Sequence, residues 1–362
     1  MKRYQSDKKI NVLVIGGGVS PEHTVSVVSS SSVAKNLDRE KYNVHVVGIG
    51  KEKGEWRYYG DTKFYTDKGT IDSHVLNDKG WKPVVISPGT DDVFMYMDGE
   101  QLISFDVDVV FPVVHGENCE DGTLQGLIED LGFPIVGCNT LSSALCMDKD
   151  LTKIIAKYNS IPVVPWLSYT KRDKLDVEHI VKELGLPLFV KPSAAGSSVG
   201  ISKVKDKTEI KKAVEEAFKY SDLVIIEKGI NAKEIEFAVL GKWDRDVKVS
   251  IPGEIVPLRE FYTYEAKYVD AKGADLLVPA DIDEATKAKI AAYARNVFKV
   301  LRCSGMSRTD FFVDRDTKAI YFNEINTIPG FTTISMYPRL WNESGLSYSK
   351  LLDELITIAL ED

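Results

Sequence analysis

The chain has 362 residues, 44% of them hydrophobic and 28% charged, with 46 Lys and Arg against 54 Asp and Glu and a formal net charge of -8. At roughly 100–200 residues per domain this length holds two or three domains, each with its own core. The acidic balance argues against a nucleic-acid binder or an anionic-membrane binder, and no apolar run approaches the 18 or more residues of a membrane span.

The charged N-terminus runs into a six-residue apolar stretch, 10–15, that reads as a first strand rather than a signal-peptide core. A glycine run follows, and a helix is expected from Pro21 to about Leu37, with Ser20 as N-cap and Pro21 at the first helical position. Residues 42–49 and 107–114 read as buried strands, 122–131 as a short helix, and 135–138 as a strand that closes the unit near residue 140. Helices alternating with parallel-type strands are the pattern of an α/β domain. A second unit, expected over 144–240, has a helix through Tyr158, a strand at 166–170, an amphipathic helix at 176–184 and a strand at 188–191. A Gly/Ser loop at 193–200, a further strand, a helix at 207–220 and a strand at 223–227 complete a small α+β domain. The third unit, 241–362, holds strands, a polar loop at 259–276, a long helix at 283–301, strands at 307–314 and 319–325, and a last helix at about 347–360. No repeat or low-complexity tract is present, and the four serines at 29–32 are too short a run to matter. Four sparse cysteines (Cys119, Cys138, Cys146, Cys303) lack metal-ligand spacing and read as reduced core thiols, so a cytoplasmic protein is expected.

Four constellations carry chemistry. Gly16-Gly17-Gly18 opening a helix is either a plain tight turn or an anion site, with Glu22 placed to face a cation such as an ammonium. A dinucleotide fingerprint fails because Pro21 stands where its third glycine would be. His115 sits at a strand end in a Gly-bounded polar loop, where open α/β sheets bind ligands; a structural role is an equal alternative. Lys191 followed by the small residues up to Gly200 suits a phosphate cradle, although a plain hairpin loop has the same composition. Asp310, Glu324 and Asn326 lie on adjacent predicted strands, with Glu324 and Asn326 on one face. They form a hard, oxygen-only set suited to Mg²⁺ shared with nucleotide phosphates, with solvated polar ends of edge strands as the less favoured alternative.

Taken together, Glu22 with Val25-Ser26, His115-Gly116 with Glu120-Asp121-Gly122-Thr123, Met147-Asp148-Lys149, Gly196-Ser197-Ser198-Val199-Gly200, Tyr264-Glu265-Ala266-Lys267-Tyr268 and the run from Asn323 to Gly330 resemble the D-alanine–D-alanine ligase family of the ATP-grasp superfamily. The motifs follow the family's order from residue 16 to about 342. The resemblance implies an ATP-grasp fold, α/β and α+β, in three domains with an N-terminal Rossmann-like (pre-ATP-grasp) domain. It implies ATP-dependent joining of two D-alanines through a D-alanyl phosphate, serving peptidoglycan synthesis. Lys149, Lys191 and Lys267 would contact ATP, Glu227 the adenine amino group and Glu234 the ribose, with the amides of Ser197, Ser198 and Val199 capping phosphates. Asp310, Glu324 and Asn326 would hold two Mg²⁺ (or Mn²⁺), with a monovalent cation as an optional addition. Glu22, held by Ser197 and Tyr268, would pair with the first D-alanine's ammonium, and His115 would lie near its carboxylate. Arg308 and the amide of Gly330 would bind the oxyanion, Ser335 the second carboxylate, and Met336 would present an apolar surface beside it. The 259–276 loop would close over the site, and a homodimer is the family's habit.

This sequence departs from that pattern at Ala194-Ala195, Ile334 and Thr24, none of which removes a reactive group. A D-serine or D-lactate ligase is the related alternative. A dinucleotide oxidoreductase and a non-catalytic ATP binder are more distant ones.

Overall fold

The computed structural model describes residues 8–60, 65–66, 75–76, 79–196, 199–257, 274–332 and 334–361. The first unit contains β1 (Ile10–Gly17), α1 (His23–Asn36), β2 (Tyr42–Ile49), β3 (Trp56–Gly60), β4 (Tyr65–Thr66), β5 (Val75–Leu76), β6 (Lys82–Ile86), β7 (Phe94–Asp98), β8 (Gln101–Ser104), β9 (Val109–Pro112) and α2 (Thr123–Asp130). Its seven-stranded sheet has the order β8-β7-β6-β3-β2-β1-β9. β1 lies parallel between β2 and β9, whereas β3, β6, β7 and β8 extend the sheet in antiparallel fashion. The parallel strands are largely buried and mostly apolar, as expected, although β2 carries an exposed Asn43; the antiparallel extension was not anticipated. The predicted strand at 135–138 reduces to a single bridge between Val110 and Ile135.

Next come α3 (Thr140–Met147), α4 (Lys149–Tyr158), β10 (Trp166–Thr170), α5 (Val177–Leu184), β11 (Leu188–Pro192), β12 (Ser202–Val204), α6 (Ile210–Ala217) and β13 (Leu223–Lys228). The helix expected through Tyr158 is two helices. Asp148 takes an extended conformation between them, and its side chain accepts from the Asp150 and Leu151 amides to cap α4. An Asp cap inside an apolar pattern breaks the helix without changing its periodicity. β10, β13, β11 and β12 form an antiparallel four-stranded sheet, covered by α5 and α6 around a core of its own that includes Ile180, Leu188, Val190, Val214 and Ile226.

The last part holds β14 (Ala232–Lys242), β15 (Val247–Val249), β16 (Gly253–Pro257), β17 (Ala274–Leu277), α7 (Glu284–Val300), β18 (Ser304–Asp314), β19 (Ile320–Asn326), α8 (Met336–Glu343) and α9 (Tyr348–Leu360). The sheet runs β17-β16-β14-β18-β19, with β15 also on β14. β14 crosses the expected limit at residue 240, and α3 crosses the one at 143. β17 begins inside the segment expected to be a loop, and α8 was not foreseen. One face of this sheet packs on α3, α4 and α7. Its other side shares a core with the first sheet, because α9 packs against α1 and β9 as well as β14 and β18. All four cysteines are buried and free. Among the described residues, no helix is long and apolar enough to cross a membrane.

Candidate active site

The glycine turn after β1 leads into α1, which begins at His23, two residues later than expected. Ser20 acts as a tie rather than as the helix cap. Its Oγ accepts the Glu22 amide at 3.1 Å and donates to the His115 carbonyl at 2.7 Å. This fixes Glu22, 7% exposed, between two loops. A Cβ on Gly116 or on Gly196 would stand 2.9 Å from Glu22 Oε2, so both glycines make room for that carboxylate. Gly116 belongs to the loop after β9 and Gly196 to the loop after β11. The first sheet and the four-stranded sheet therefore meet at Glu22.

His115 is buried beside α1. Its amide donates to Ser26 Oγ at 2.9 Å, and its Nε2 lies 3.3 Å from Ser29 Oγ. Ser29 Oγ in turn accepts the Phe331 amide at 3.2 Å, and Ser32 Oγ lies 3.0 Å from the Tyr348 hydroxyl, which donates to the Phe331 carbonyl. The serine run discounted in the sequence is thus a polar seam that ties α1 to the active-site loop and to α9. Burial pushes the His115 imidazole below its ordinary pKa and favours the neutral ring. Glu120, quoted in the sequence motif without a role of its own, accepts the Gly116 amide at 2.8 Å. Burial, and then the neighbouring Glu22 charge, raise its carboxyl to about 8.

Three adjacent strands build the acidic centre. Glu236 on β14 pairs across from Asp310 on β18, which pairs across from Glu324 on β19; in the next row Arg308 stands opposite Asn326. The β18–β19 register shifts directly after Asp310, a bulge of the kind that re-aims side chains beside active sites. Arg308 donates from Nε to Asp310 Oδ1 at 2.9 Å and from Nη2 to Oδ2 at 2.7 Å. Its Nε also lies 3.1 Å from Glu236 Oε1, and Asn326 Nδ2 donates to Asp310 Oδ2 at 3.2 Å. Burial works against the guanidinium, but Asp310 and Glu236 hold its pKa well above the usual value. Glu234, Glu236 and Asp310 can bring three carboxylate oxygens within 4.8 Å of one another. The strand pairing brings Asp310, Glu324 and Asn326 together, and sequence reasoning missed Glu236. Its alternation with Glu234 along β14 was the available signal. Oxygen-only donors of this kind fit a hard divalent cation, which would have to compete with Arg308 for Asp310.

Beside this centre, Lys149 Nζ donates to the Ala195 carbonyl at 2.6 Å and lies 3.8 Å from Glu324. Asp148 accepts from Ser193 Oγ at 2.6 Å, so the start of α4 anchors the loop after β11. Within that loop the Val199 amide donates to the Gly196 carbonyl at 3.1 Å. Glu227, 2% exposed, lies 2.6 Å from Lys191 through one oxygen and 2.7 Å from Lys153 through the other. Burial alone would raise the Glu227 carboxyl; the two ammonium groups instead hold it down at about 2. Lys153 was not singled out from the sequence. Its position four residues after Lys149, on the same face of α4, was the signal.

Ser335 Oγ accepts the Thr332 amide at 3.0 Å and lies 2.7 Å from Thr332 Oγ1. Gly330 is directly adjacent, since a Cβ there would stand 2.7 Å from Ser335 Oγ. The expectation for Met336 needs correction. It is 6% exposed, and its thioether lies over Gly253 within the shared core, because α8 turns that side chain inward. Ser197, Ser198, Lys267 and Tyr268 lie outside the described residues, as does most of the 259–276 loop.

Comparison with known proteins finds relatives along nearly the whole chain. Family models described as the D-ala D-ala ligase N-terminus and the D-ala D-ala ligase C-terminus match residues 11–138 and 155–357. A D-alanine–D-alanine ligase of Caldicellulosiruptor bescii is 47% identical over 362 residues, covering 98% of this chain and 96% of that protein. The D-alanine–D-alanine ligase structure from Coxiella burnetii superposes with a TM-score of 0.83 at 38% identity, over 98% of this chain and 94% of that one. The VanG D-Ala:D-Ser ligase of Enterococcus faecalis also gives 0.83, at 39% identity, over 97% and 100% of the two chains.

Proposed function

The chain belongs to the D-alanine–D-alanine ligase family, whose fold is the three-domain ATP-grasp fold, and from that premise we propose that it joins two D-alanines into D-alanyl-D-alanine for peptidoglycan synthesis. The observation that carries this reading is the position of Glu22. Its carboxylate touches Gly196 of the loop after β11, so an amino acid held at Glu22 lies next to the nucleotide side of the site.

In the proposed reaction, the first D-alanine's carboxylate attacks the γ-phosphorus of ATP, and ADP leaves. The second D-alanine's amine, having lost a proton, attacks the acyl phosphate carbonyl, and phosphate leaves. Glu22 pairs with the first ammonium, and neutral His115 lies near the first carboxylate. Lys149 and Lys191 meet the phosphates, with Lys267 and the amides of Ser197, Ser198 and Val199 in the same task. Glu227 takes the adenine amino group and Glu234 the ribose. Asp310, Glu324 and Asn326 are the set that holds Mg²⁺ or Mn²⁺, which when bound offsets phosphate charge. Arg308 and the Gly330 amide receive the oxyanion, and Ser335 receives the second carboxylate. Ser197 and Tyr268 steady Glu22, and closure of the 259–276 loop keeps water from the acyl phosphate. We place the unit limits beside the expected 143 and 240, at the ends of the helix and the strand that cross them. A homodimer in the cytoplasm and an optional monovalent cation complete the proposal.

The test is ADP release with ATP, Mg²⁺ and a panel of D-alanine, D-serine and D-lactate as second substrate, with products identified by mass. D-alanyl-D-alanine as the dominant product supports the reading. Dominant D-alanyl-D-serine would move the chain to the reading that its likeness to VanG supports, and no ADP release with any of the three would overturn both.

A further inference from the structure

Lys153 is an ammonium buried to 1% exposure on α4. A buried ammonium is costly unless it is paired, and here its partner is Glu227 Oε1, 2.7 Å away. The approach angle falls outside ordinary hydrogen-bond geometry, so the contact works mainly as charge on charge. The other Glu227 oxygen is 2.6 Å from Lys191. One carboxylate on β13 thus joins two cations delivered by separate elements, α4 and β11. The Trp166 ring centroid is 6.0 Å from the Lys153 ammonium, and the Trp166 indole N–H donates to Asp150 at 2.7 Å, so the aromatic wall beside the pair is fixed.

This arrangement has a consequence for nucleotide binding. Two ammonium groups flank one buried carboxylate, with the charge of Glu324 acting on both and that of Glu234 on Lys191 as well. A triphosphate draws on Lys191. If Lys191 were the sole counter-ion of Glu227, each phosphate contact would weaken the hold on the carboxylate, and a buried unpaired carboxylate takes up a proton. A protonated Glu227 loses its preference for an amino group over a carbonyl on the base.

We infer that Lys153 is a positioning residue for nucleotide recognition: it is the resident counter-ion of Glu227, keeping that carboxylate ionised and aimed at the base while Lys191 is shared with phosphate. This inference rests on the ATP-dependent reading above. It makes Lys153 a determinant of the choice between a 6-amino purine and a 6-oxo purine.

The experiment compares wild type, Lys153→Met, Lys153→Arg and the double variant Lys153→Met/Glu227→Gln. It measures kinetics with ATP and ITP, the KM for D-alanine, and ATP and ITP binding by direct titration without D-alanine. Lys153→Met is expected to raise the ATP KM about tenfold and to cut the ATP:ITP ratio of kcat/KM at least about fivefold, leaving the D-alanine KM within about twofold. Lys153→Arg is expected to restore most of the ratio. An unchanged ATP:ITP ratio in a folded Lys153→Met protein overturns the inference, as does a D-alanine KM that rises in step with that for ATP. Should Lys153→Met not fold, the double variant decides, because it removes both buried charges together; a wild-type ATP:ITP ratio there overturns the inference. Titration keeps the two proposals apart. A wild type that binds ATP over ITP but releases no ADP with D-amino acids defeats the ligase reading and leaves the role of Lys153 standing.

Discussion

Arg308 and Asp310, two residues apart on β18, are joined by a pair of parallel bonds of 2.9 and 2.7 Å. The pair gives the proposed metal ligand a structural job as well, which separates it from Glu324. Asp310→Asn and Glu324→Gln are both expected to abolish ADP release, since each removes an anionic oxygen from the cation site, a loss of several kcal/mol in the transition state on the order expected for metal assistance. Thermal unfolding is expected to distinguish them. Asp310→Asn breaks a buried charge pair, a class of change that costs about 3–5 kcal/mol, whereas Glu324, with its side chain 27% exposed and the Lys149 ammonium 3.8 Å away, can be neutralised at smaller cost. Near-normal turnover in either variant at ordinary Mg²⁺ would remove the metal assignment.

Glu22→Gln tests the amino-acid subsite. Loss of a charge-assisted bond, worth about 1.5–3 kcal/mol, is expected to raise the KM for the first D-alanine about 10- to 150-fold while the ATP KM stays nearly constant. A rise confined to ATP would mean that the two subsites have been exchanged.

Gly196→Ala probes the same carboxylate from the other side. The new methyl group would stand 2.9 Å from Glu22 Oε2, and Gly196 has no left-handed backbone to strain. The end of the Glu22 side chain can swing aside, so the melting temperature should barely move. Its aim cannot survive the swing, and the D-alanine KM should rise. Unaltered kinetics would mean that the Gly196 loop and Glu22 do not act together.

The Glu120 carboxyl, raised from the ordinary 4.5 to about 8, binds its proton more tightly in the folded chain than in the unfolded one. Its contribution to stability is therefore fully present below pH 4.5, falls as pH rises from there to 8, and is lost above. Glu120→Gln removes this dependence, so the stability of the variant relative to wild type should grow between pH 5 and 8 and then level off. Thermal unfolding at pH 5, 6.5 and 8 checks this; an offset that is constant with pH would contradict it.

Much of the site was legible because its side chains sit at strand ends and on alternating positions. Asp310, Glu324 and Asn326 follow from period-two spacing on two apolar strands. Glu22 follows a glycine turn, and His115 stands at a strand end directly before Gly116. What stayed hidden depends on pairing between distant segments. No local pattern indicates that Ser29 meets both His115 and Phe331, or that Glu236 faces Arg308. The strands β3, β6, β7 and β8 are short and partly exposed, so they lack the buried, mostly apolar runs that identified β1, β2 and β9. Met336 was assigned from its neighbour Ser335, but successive residues at a helix start point in different directions, and Met336 turned into the core.

The arrangement of the three hydrophobic cores divides the molecule mechanically. The first and last sheets share one apolar body through α9, while β10 to β13 with α5 and α6 enclose a separate one. A body with private packing can tilt or loosen without opening its neighbours. The four-stranded sheet is therefore free to act as a lever on the other two: Glu22 and the acidic row share one body, while Lys191 and Glu227 stand on the body that packs by itself, joined to α4 through Lys153. Hydrogen exchange should find the amides of β11 and β13 opening as a group of their own, at lower free energy than those of β1 and β18; a single shared opening across all four strands would show that no such lever exists.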